Sequence, residues 1–299
     1  MLATLAKAAI YRPPAFAASS LIMPQQVLSQ QHRILPAHFD NYHRLVNWPA
    51  AMHGYMHPNY IQVLTLPMQL SMMTQSPFPF KALGLVHIAN KINVISLPKN
   101  SSNLTLNTYF GDVFSHKRGM VFELHSEACE NDVVTIKATS YYLARVNQQG
   151  MGSAKLFSES ELLCSKQSAN IASENEDIGE LVFEENAGRQ YAKASGDYNP
   201  IHLWPLTSRF FGFKQAIAHG MNSHAQSVSL VAANTQCNVC ETTSIRAVFK
   251  QPILLPSKTR LSVSKYPQER TLHFSLNGEA DKQRSNKTRQ HISGVIAPL

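Results

Sequence analysis

The sequence is short of charge and of cysteine, and it has no long apolar run. Charged residues make up 15% of its 299 positions, well below what a disordered or highly charged chain would carry, while 44% are hydrophobic. That balance supports sizeable cores, and the length suggests two units of about 100–200 residues. Its four cysteines, Cys129, Cys164, Cys237 and Cys240, are too few for a disulfide framework. Free thiols in a reducing compartment fit best, so a cytoplasmic protein is expected. Cys237 and Cys240 form a lone CxxC with no second pair at matching spacing, which argues against structural zinc. His53 and His57 have helical i, i+4 spacing, but Pro58 and the lack of a nearby carboxylate argue against a metal pair. No metal or redox cofactor is expected. The most apolar segment, residues 60–74, contains Gln62, Pro67 and Gln69 and falls short of the ~20 residues that span a bilayer. The N-terminal apolar run is broken by Arg12-Pro13-Pro14, unlike a secretory signal.

What charge there is lies unevenly. The formal net charge is +8. Residues 245–290 hold ten Lys/Arg against three acids, and residues 159–185 hold eight acids against one Lys. A basic C-terminal region can attract a polyanion, such as an acidic carrier protein or the phosphates of a nucleotide-bearing substrate. A solvated surface explains the same charges without any partner. No motif supports nucleic-acid binding.

Two stretches show the same order of elements. Residues 60–74 are apolar on every face, the mark of a wholly buried helix, and Pro67 is expected to kink it. Period-two alternation follows in Leu104-Leu106-Phe110, Met120-Phe122-Leu124 and Val134-Ile136-Ala138, with a less regular run over 83–97. In the second stretch Met221, Ala225, Val228 and Ala232 recur at helical spacing. Alternating runs around Ile245, Leu261, Leu272 and Ile292 come next. The offset is roughly 160 residues. One buried helix followed by several consecutive strands predicts an antiparallel sheet wrapped around a helix, an α+β arrangement. Two copies would imitate a homodimer within one chain, which leaves open whether two chains also pair. The expected divisions are an N-terminal extension (1–30), a first half (31–146), an acidic polar linker (147–182) and a second half (183–299).

The chemistry concentrates in "SGDYNPIH" (195–202) and "HGM" (219–221). Gly196 permits a sharp turn, Pro200 fixes its own φ and extends Asn199, and Asn199 can close a local turn through its side chain. A rigid loop of this kind aims Asp197 and His202 at one point. A carboxylate and an imidazole there suit general acid–base work near neutral pH. His219-Gly220 opens the predicted helix, where first-turn N–H groups have no intrahelical partner and negative charge is favoured. The Gly220 amide is thus a candidate oxyanion donor. His219 is read either as a structural hydrogen bond or as a substrate contact, His224 as a core or interface histidine. Phe210, Phe211 and Phe213 are read as core or acyl-pocket residues, and Met68, Met72 and Met73 as core filler.

The segment "YAKASGDYNPIHLWPLTSRFFGFKQAIAHGM" (191–221) resembles the signature of MaoC-like dehydratases and R-specific enoyl-CoA hydratases. Residues 246–261 resemble the next strand pair of that family, and 57–92 more weakly resemble the non-catalytic half of its two-repeat members. The resemblance implies a double hotdog fold, with Asp197 and His202 as the catalytic pair. Gly220 would bind the thioester carbonyl, and Ser195, Asn199 and His219 would shape the loop or touch substrate. It implies reversible hydration of trans-2-enoyl thioesters to (R)-3-hydroxyacyl thioesters, carried on coenzyme A or acyl carrier protein. Trp204 departs from the pattern, standing where an acidic residue is common. In the first half Asp40 and His43 are three apart rather than five, and "MHP" (56–58) takes the place of "HGM". One active site per chain follows, with the first half holding the pseudo-dimer together and giving room for the acyl chain. The competing classes are a non-catalytic acyl-thioester binding or scaffold protein of the same fold, and an acyl thioesterase.

Overall fold

In this computed structural model the described residues are 11–13, 23–146, 154–164, 175–235, 237, 239–266, 270–279 and 288–299. The first half runs β1 (Leu28–Arg33), α1 (Pro36–Leu45), α2 (Tyr60–Met72), β2 (Val86–Ser96), β3 (Asn103–His116), β4 (Gly119–Glu130) and β5 (Val133–Ala144). A short helix α3 (Glu159–Leu163) follows. The second half runs β6 (Glu176–Phe183), α4 (Ala187–Ser195), α5 (Pro205–Arg209), α6 (Gly220–Asn234), β7 (Glu241–Phe249), β8 (Ser257–Tyr266), β9 (Thr271–Gly278) and β10 (Gln290–Pro298). The starts of α2 and α6, at residues 60 and 220, are 160 residues apart.

All ten strands form one antiparallel sheet in the order β1-β3-β4-β5-β2-β7-β10-β9-β8-β6. Each half contributes five, in the same internal order, and the halves meet where β2 pairs with β7 from Ala89↔Val248 to Ser96↔Glu241. This is the α+β arrangement that the repeat predicts and the double hotdog that the resemblance implies. Continuous pairing across the seam leaves no sheet edge between the halves. One apolar core spans both, from Phe39, Tyr42 and Ile61 to Val228, Ile245 and Leu276.

The buried helix α2 encloses Ile61, Val63, Leu64, Leu66 and Met68, and three of its polar residues are buried too. They satisfy one another. Gln62 donates to Gln69 Oε1 at 3.0 Å, Gln69 donates to Ser126 Oγ at 3.1 Å, and the Tyr142 hydroxyl donates to Gln69 Oε1 at 3.1 Å. An unpaired amide there would cost a few kcal/mol. Helix α2 runs through Pro67 to Met72, with Pro67 at an exposed position. Met68, Met72 and Met73 are core, as read.

The structure corrects three expectations. Strand β1 begins within the segment read as an N-terminal extension, most of which lies outside the described residues. The stretch 147–182 is more than a linker. It holds α3 and most of β6, which pairs with β8 along its length. The basic C-terminal region is less open over its described residues than its charge count implies, because the acidic stretch pairs with four of its cations. Lys258 meets Glu180 at 3.5 Å, Arg260 meets Asp177 at 2.8 Å, Lys265 meets Glu176 at 2.9 Å, and Lys250 pairs with Glu159. Antiparallel pairing of β6 with β8 brings the first three of these pairs together across the strands. Lys282, Arg284 and Lys287 lie outside the described residues. No helix among the described residues is long and apolar enough to cross a membrane.

Candidate active site

The loop after α4 is built by its own sequence. Gly196 takes φ +77°, a left-handed cap that a side chain would resist, and its N–H closes the helix onto the Ala192 carbonyl at 2.8 Å. Ser195 Oγ donates to the Tyr191 carbonyl at 2.8 Å and accepts from the Asp197 N–H at 3.1 Å. Asp197 Oδ1 accepts from the Asn199 N–H at 3.2 Å, and Asn199 Oδ1 caps the turn at Ile201 N. Pro200 then opens a single 3-10 turn, Pro200–His202. Ser195 and Asn199 are thus both hydrogen-bonded within the loop.

That turn buries His202 and points its Nδ1 at the Ile217 carbonyl, 2.8 Å away. Nδ1 must carry the proton to donate there, which leaves a lone pair on Nε2. Burial pushes the His202 pKa below the ordinary value, with Asp197 and the Ile217 bond opposing it. His219 caps the start of α6, is 2% exposed, and donates through Nε2 to the Asp197 carbonyl at 2.9 Å. Its ring stacks on that of His202 with centroids 3.7 Å apart. Burial first, then His202, drives the His219 pKa down to about 3. His219 thus ties the loop to the helix start.

A carboxylate oxygen of Asp197 and ring nitrogens of His202 and His219 lie within 4.8 Å of one another. Such a set resembles a metal centre, but the donors do not fit one. The two imidazole planes are stacked and tilted by only 28°, so their in-plane lone pairs do not converge on one point. His219 Nε2 is also already spent on a carbonyl.

Gly220 and Met221 open α6, so their N–H groups have no carbonyl within the helix. A Cβ at residue 220 would sit 3.2 Å from the Phe249 ring, so glycine keeps this approach open. Asp197, Asn199, His202, His219 and Gly220 all line one cavity of about 340 Å³.

The cavity crosses the β2–β7 seam. The first half supplies Gln62, Val63, Leu66, His87 and Tyr142 to its wall. His87 and Tyr142 stack with centroids 4.7 Å apart, and the Asp197 charge reaches both. Burial lowers the His87 pKa to about 4, and Asp197 opposes that shift. None of these residues was legible as part of the site, because their convergence depends on the seam. The room on the first-half side is limited. Behind Tyr142 the rings of Phe122, Phe80 and Phe78 follow one another at centroid spacings of 5.7, 5.6 and 5.7 Å.

The remaining candidates sort by position. Phe211 and Phe213 line the cavity, whereas Phe210 is 82% exposed. His224 is buried at the interface of the halves and takes a hydrogen bond from Asn59 at 2.8 Å. Trp204 is 52% exposed and stacks under the Arg189 guanidinium at 4.0 Å, away from the cavity lining. The equivalent place in the first half is filled by packing. His57 donates to the Ala225 carbonyl at 3.2 Å and lies 4.4 Å from the Trp48 ring, His43 is buried against Phe39, and Asp40 is exposed. Burial pushes the Cys237 thiol up to about 11.

Residues 168–286 match the family described as MaoC like domain. The second half of the chain is thus similar to MaoC-like dehydratase domains. Among characterised relatives, 3-hydroxyacyl-thioester dehydratase X of Mycobacterium tuberculosis is 26% identical over 220 residues, covering 72% of this chain and 74% of that protein. The crystal structure of HtdX from the same organism superposes with a TM-score of 0.71 at 21% identity, covering 92% of this chain and 100% of that one. A MaoC-like dehydratase from Phytophthora capsici gives 0.72 at 16% identity, covering 93% and 96%. The match begins before β6 and contains every residue of the loop and helix start described above, while the structural likeness extends through both halves.

One contact outside the loop holds this site in place. Gly188 on α4 lies so close to the turn that a Cβ there would be 1.9 Å from the His202 carbonyl oxygen. Gly188→Ala must separate α4 from the turn, and overpacking of this kind costs roughly 1–3 kcal/mol. Thermal unfolding should show a midpoint lowered by several degrees. An unchanged midpoint would mean that the helix and the turn are not held in register here.

Proposed function

We propose that the chain catalyses the reversible addition of water to a trans-2-enoyl thioester, giving the (R)-3-hydroxyacyl thioester, with Asp197 and His202 as the acid–base pair. The observation that carries this reading is the protonation geometry of His202 beside Asp197. Its Nδ1 proton is fixed on Ile217, which leaves the Nε2 lone pair free, and a ring nitrogen of His202 lies within 4.8 Å of an Asp197 carboxylate oxygen. A water between the two can be deprotonated as its oxygen bonds to C3, while C2 gains a proton. Dehydration is the reverse: C2 gives up its proton and the C3 hydroxyl leaves as water. The pair ends each turnover in the protonation state in which it began. The Gly220 N–H, at the start of α6, is placed to receive the thioester oxygen as enolate charge develops. Only protons and a hydroxyl move, so the reaction needs no metal or redox cofactor.

The wall shared by the two halves accounts for one site per chain. The first half supplies Tyr142, His87 and Gln62 to the cavity but keeps no acid–base pair of its own. The carrier of the thioester is coenzyme A or acyl carrier protein, both of which present the same thioester and pantetheine arm.

The test is loss of enoyl absorbance on crotonyl-CoA and longer enoyl-CoAs, with chiral analysis of the product. Formation of the (R)-3-hydroxyacyl thioester is expected. Release of free thiol in place of hydration would make the protein a thioesterase. Tight binding of the thioester with no turnover would make it a binding protein.

A further inference from the structure

The rim of the cavity carries two cations that the charge pattern of the sequence did not single out. Arg118 and Arg145 are exposed and line the cavity that holds Asp197 and His202. Strand register brings them to the same end of the sheet. His116 pairs with Gly119 to close the β3–β4 turn, and Met120 pairs with Ala144 at the end of β5. Arg118 therefore enters β4 where Arg145 leaves β5. Gly119 between them has φ +142°, and a Cβ there would fall 2.0 Å from the Ala144 carbonyl oxygen. A glycine is what lets the two strand ends approach. Val86 pairs with Leu143 on the other side, so Gly84 and Leu85, which also line the cavity, sit beside Arg145.

Of the three Lys and Arg residues that line the cavity, Arg118, Arg145 and Lys250, these two lack a counter-charge. Lys137, Lys250, Lys258, Arg260 and Lys265 each have an acid within ion-pair distance. Among the described residues neither Arg118 nor Arg145 does. Lys250 shares the cavity wall but is neutralised by Glu159. The Arg118 charge is felt by neighbouring His116: after burial it is the next cause that lowers that pKa, with Glu159 opposing and Lys117 adding to it. Two guanidinium groups at one mouth suit a planar or tetrahedral oxyanion, which they can grip through paired N–H donors.

We propose that Arg118 and Arg145 form an anion-binding subsite at the first-half mouth of the cavity, for an oxyanion that the substrate carries away from its reacting carbons. The proposal rests on the thioester reading of the site. Two parts of a thioester can supply that oxyanion: a phosphate of the carrier, or a carboxylate that ends the acyl chain. The first half then contributes substrate recognition through charge as well as shape.

The experiment compares three unsaturated thioesters on the full chain. One is the uncharged crotonyl ester of N-acetylcysteamine, one is crotonyl-CoA, and one is the N-acetylcysteamine ester of an unsaturated dicarboxylic acid. For each variant the readout is kcat/KM on a charged substrate divided by kcat/KM on the uncharged one. A charge-assisted contact is worth roughly 1.5–3 kcal/mol, so Arg118→Gln with Arg145→Gln should lower that ratio about tenfold or more in at least one charged arm. The loss should appear mainly in KM and shrink at high salt. The arm that responds identifies the source of the oxyanion. Lys258→Gln, already paired and off the cavity wall, should leave both ratios where they were. Unchanged ratios in both arms, or an equal fall with Lys258→Gln, would overturn the subsite. If the wild type turns over none of the three, the thioester hydration reading fails instead. Calorimetric affinities for the same ligands then give the same comparison, and equal affinities for wild type and double variant overturn the subsite.

Discussion

Asp197→Asn should lower kcat for hydration of crotonyl-CoA by about 10²–10⁴-fold, the usual yield of a positioned acid–base group. The substitution preserves shape. An Asn carbonyl can still accept the Asn199 N–H that Asp197 Oδ1 accepts at 3.2 Å, so the turn should survive. His202→Ala should cost a similar factor, and it also removes the 2.8 Å bond to Ile217. Because the pair acts on one water, the double variant should be little worse than the poorer single one. Steady-state kinetics beside a thermal melt separate chemistry from folding. Either single variant keeping activity within threefold of wild type, with an unchanged melt, would remove that residue from the reaction.

The second large effect is on stability in mild acid. His43, His57, His202, His219 and His224 are all buried. Burial is the leading cause of each one's lowered pKa, to about 4 for His43 and about 3 for His219 and His224. In the unfolded chain each would titrate near 6.5. The unfolded state therefore binds more protons between pH 6.5 and the folded values. Stability is complete above that window and falls as the pH drops through it. Each such histidine contributes up to about 1.4 kcal/mol per pH unit, or about 2 kcal/mol between pH 6.5 and 5. Three of them together rival the 5–15 kcal/mol that holds a typical domain. Urea midpoints at fixed ionic strength should hold steady from pH 8 to 7 and fall sharply toward pH 5. A flat midpoint down to pH 5 would show that these imidazoles take up protons without leaving the folded state.

How much of this was legible depended on whether the signal was local. Helix α2 announced itself because it is apolar on every face, and the strands because Met120-Phe122-Leu124 and its counterparts alternate. The loop was legible for the same reason: Gly196, Asn199 and Pro200 act on their own backbone, and the Asp197 and Asn199 side-chain bonds that shape the turn reach only two residues along the chain. The seam was not, since nothing local says that β2 will pair with β7. His87, Tyr142 and Arg145 went unread because their place beside Asp197 or on its cavity follows from that pairing. The charge runs were read as surface patches for a related reason. Lys258, Arg260 and Lys265 look unopposed in sequence, and their acids come from a strand more than 75 residues earlier. β6 itself escaped notice because acidic, half-exposed residues such as Glu176, Asp177 and Glu180 interrupt its apolar positions.

The seam also frees the two halves from copying one another. When identical subunits share a cleft, any substitution appears on both sides of the twofold axis, so a residue that helps on one side must be tolerated on the other. Here one chain writes each side separately. The helix start of the second half keeps His219 and a bare glycine, while its counterpart holds His57 under an indole and a proline with no N–H to offer. One side was thereby released from chemistry and could become a wall, taking on bulk, rings and positive charge that an exact twin could not have carried.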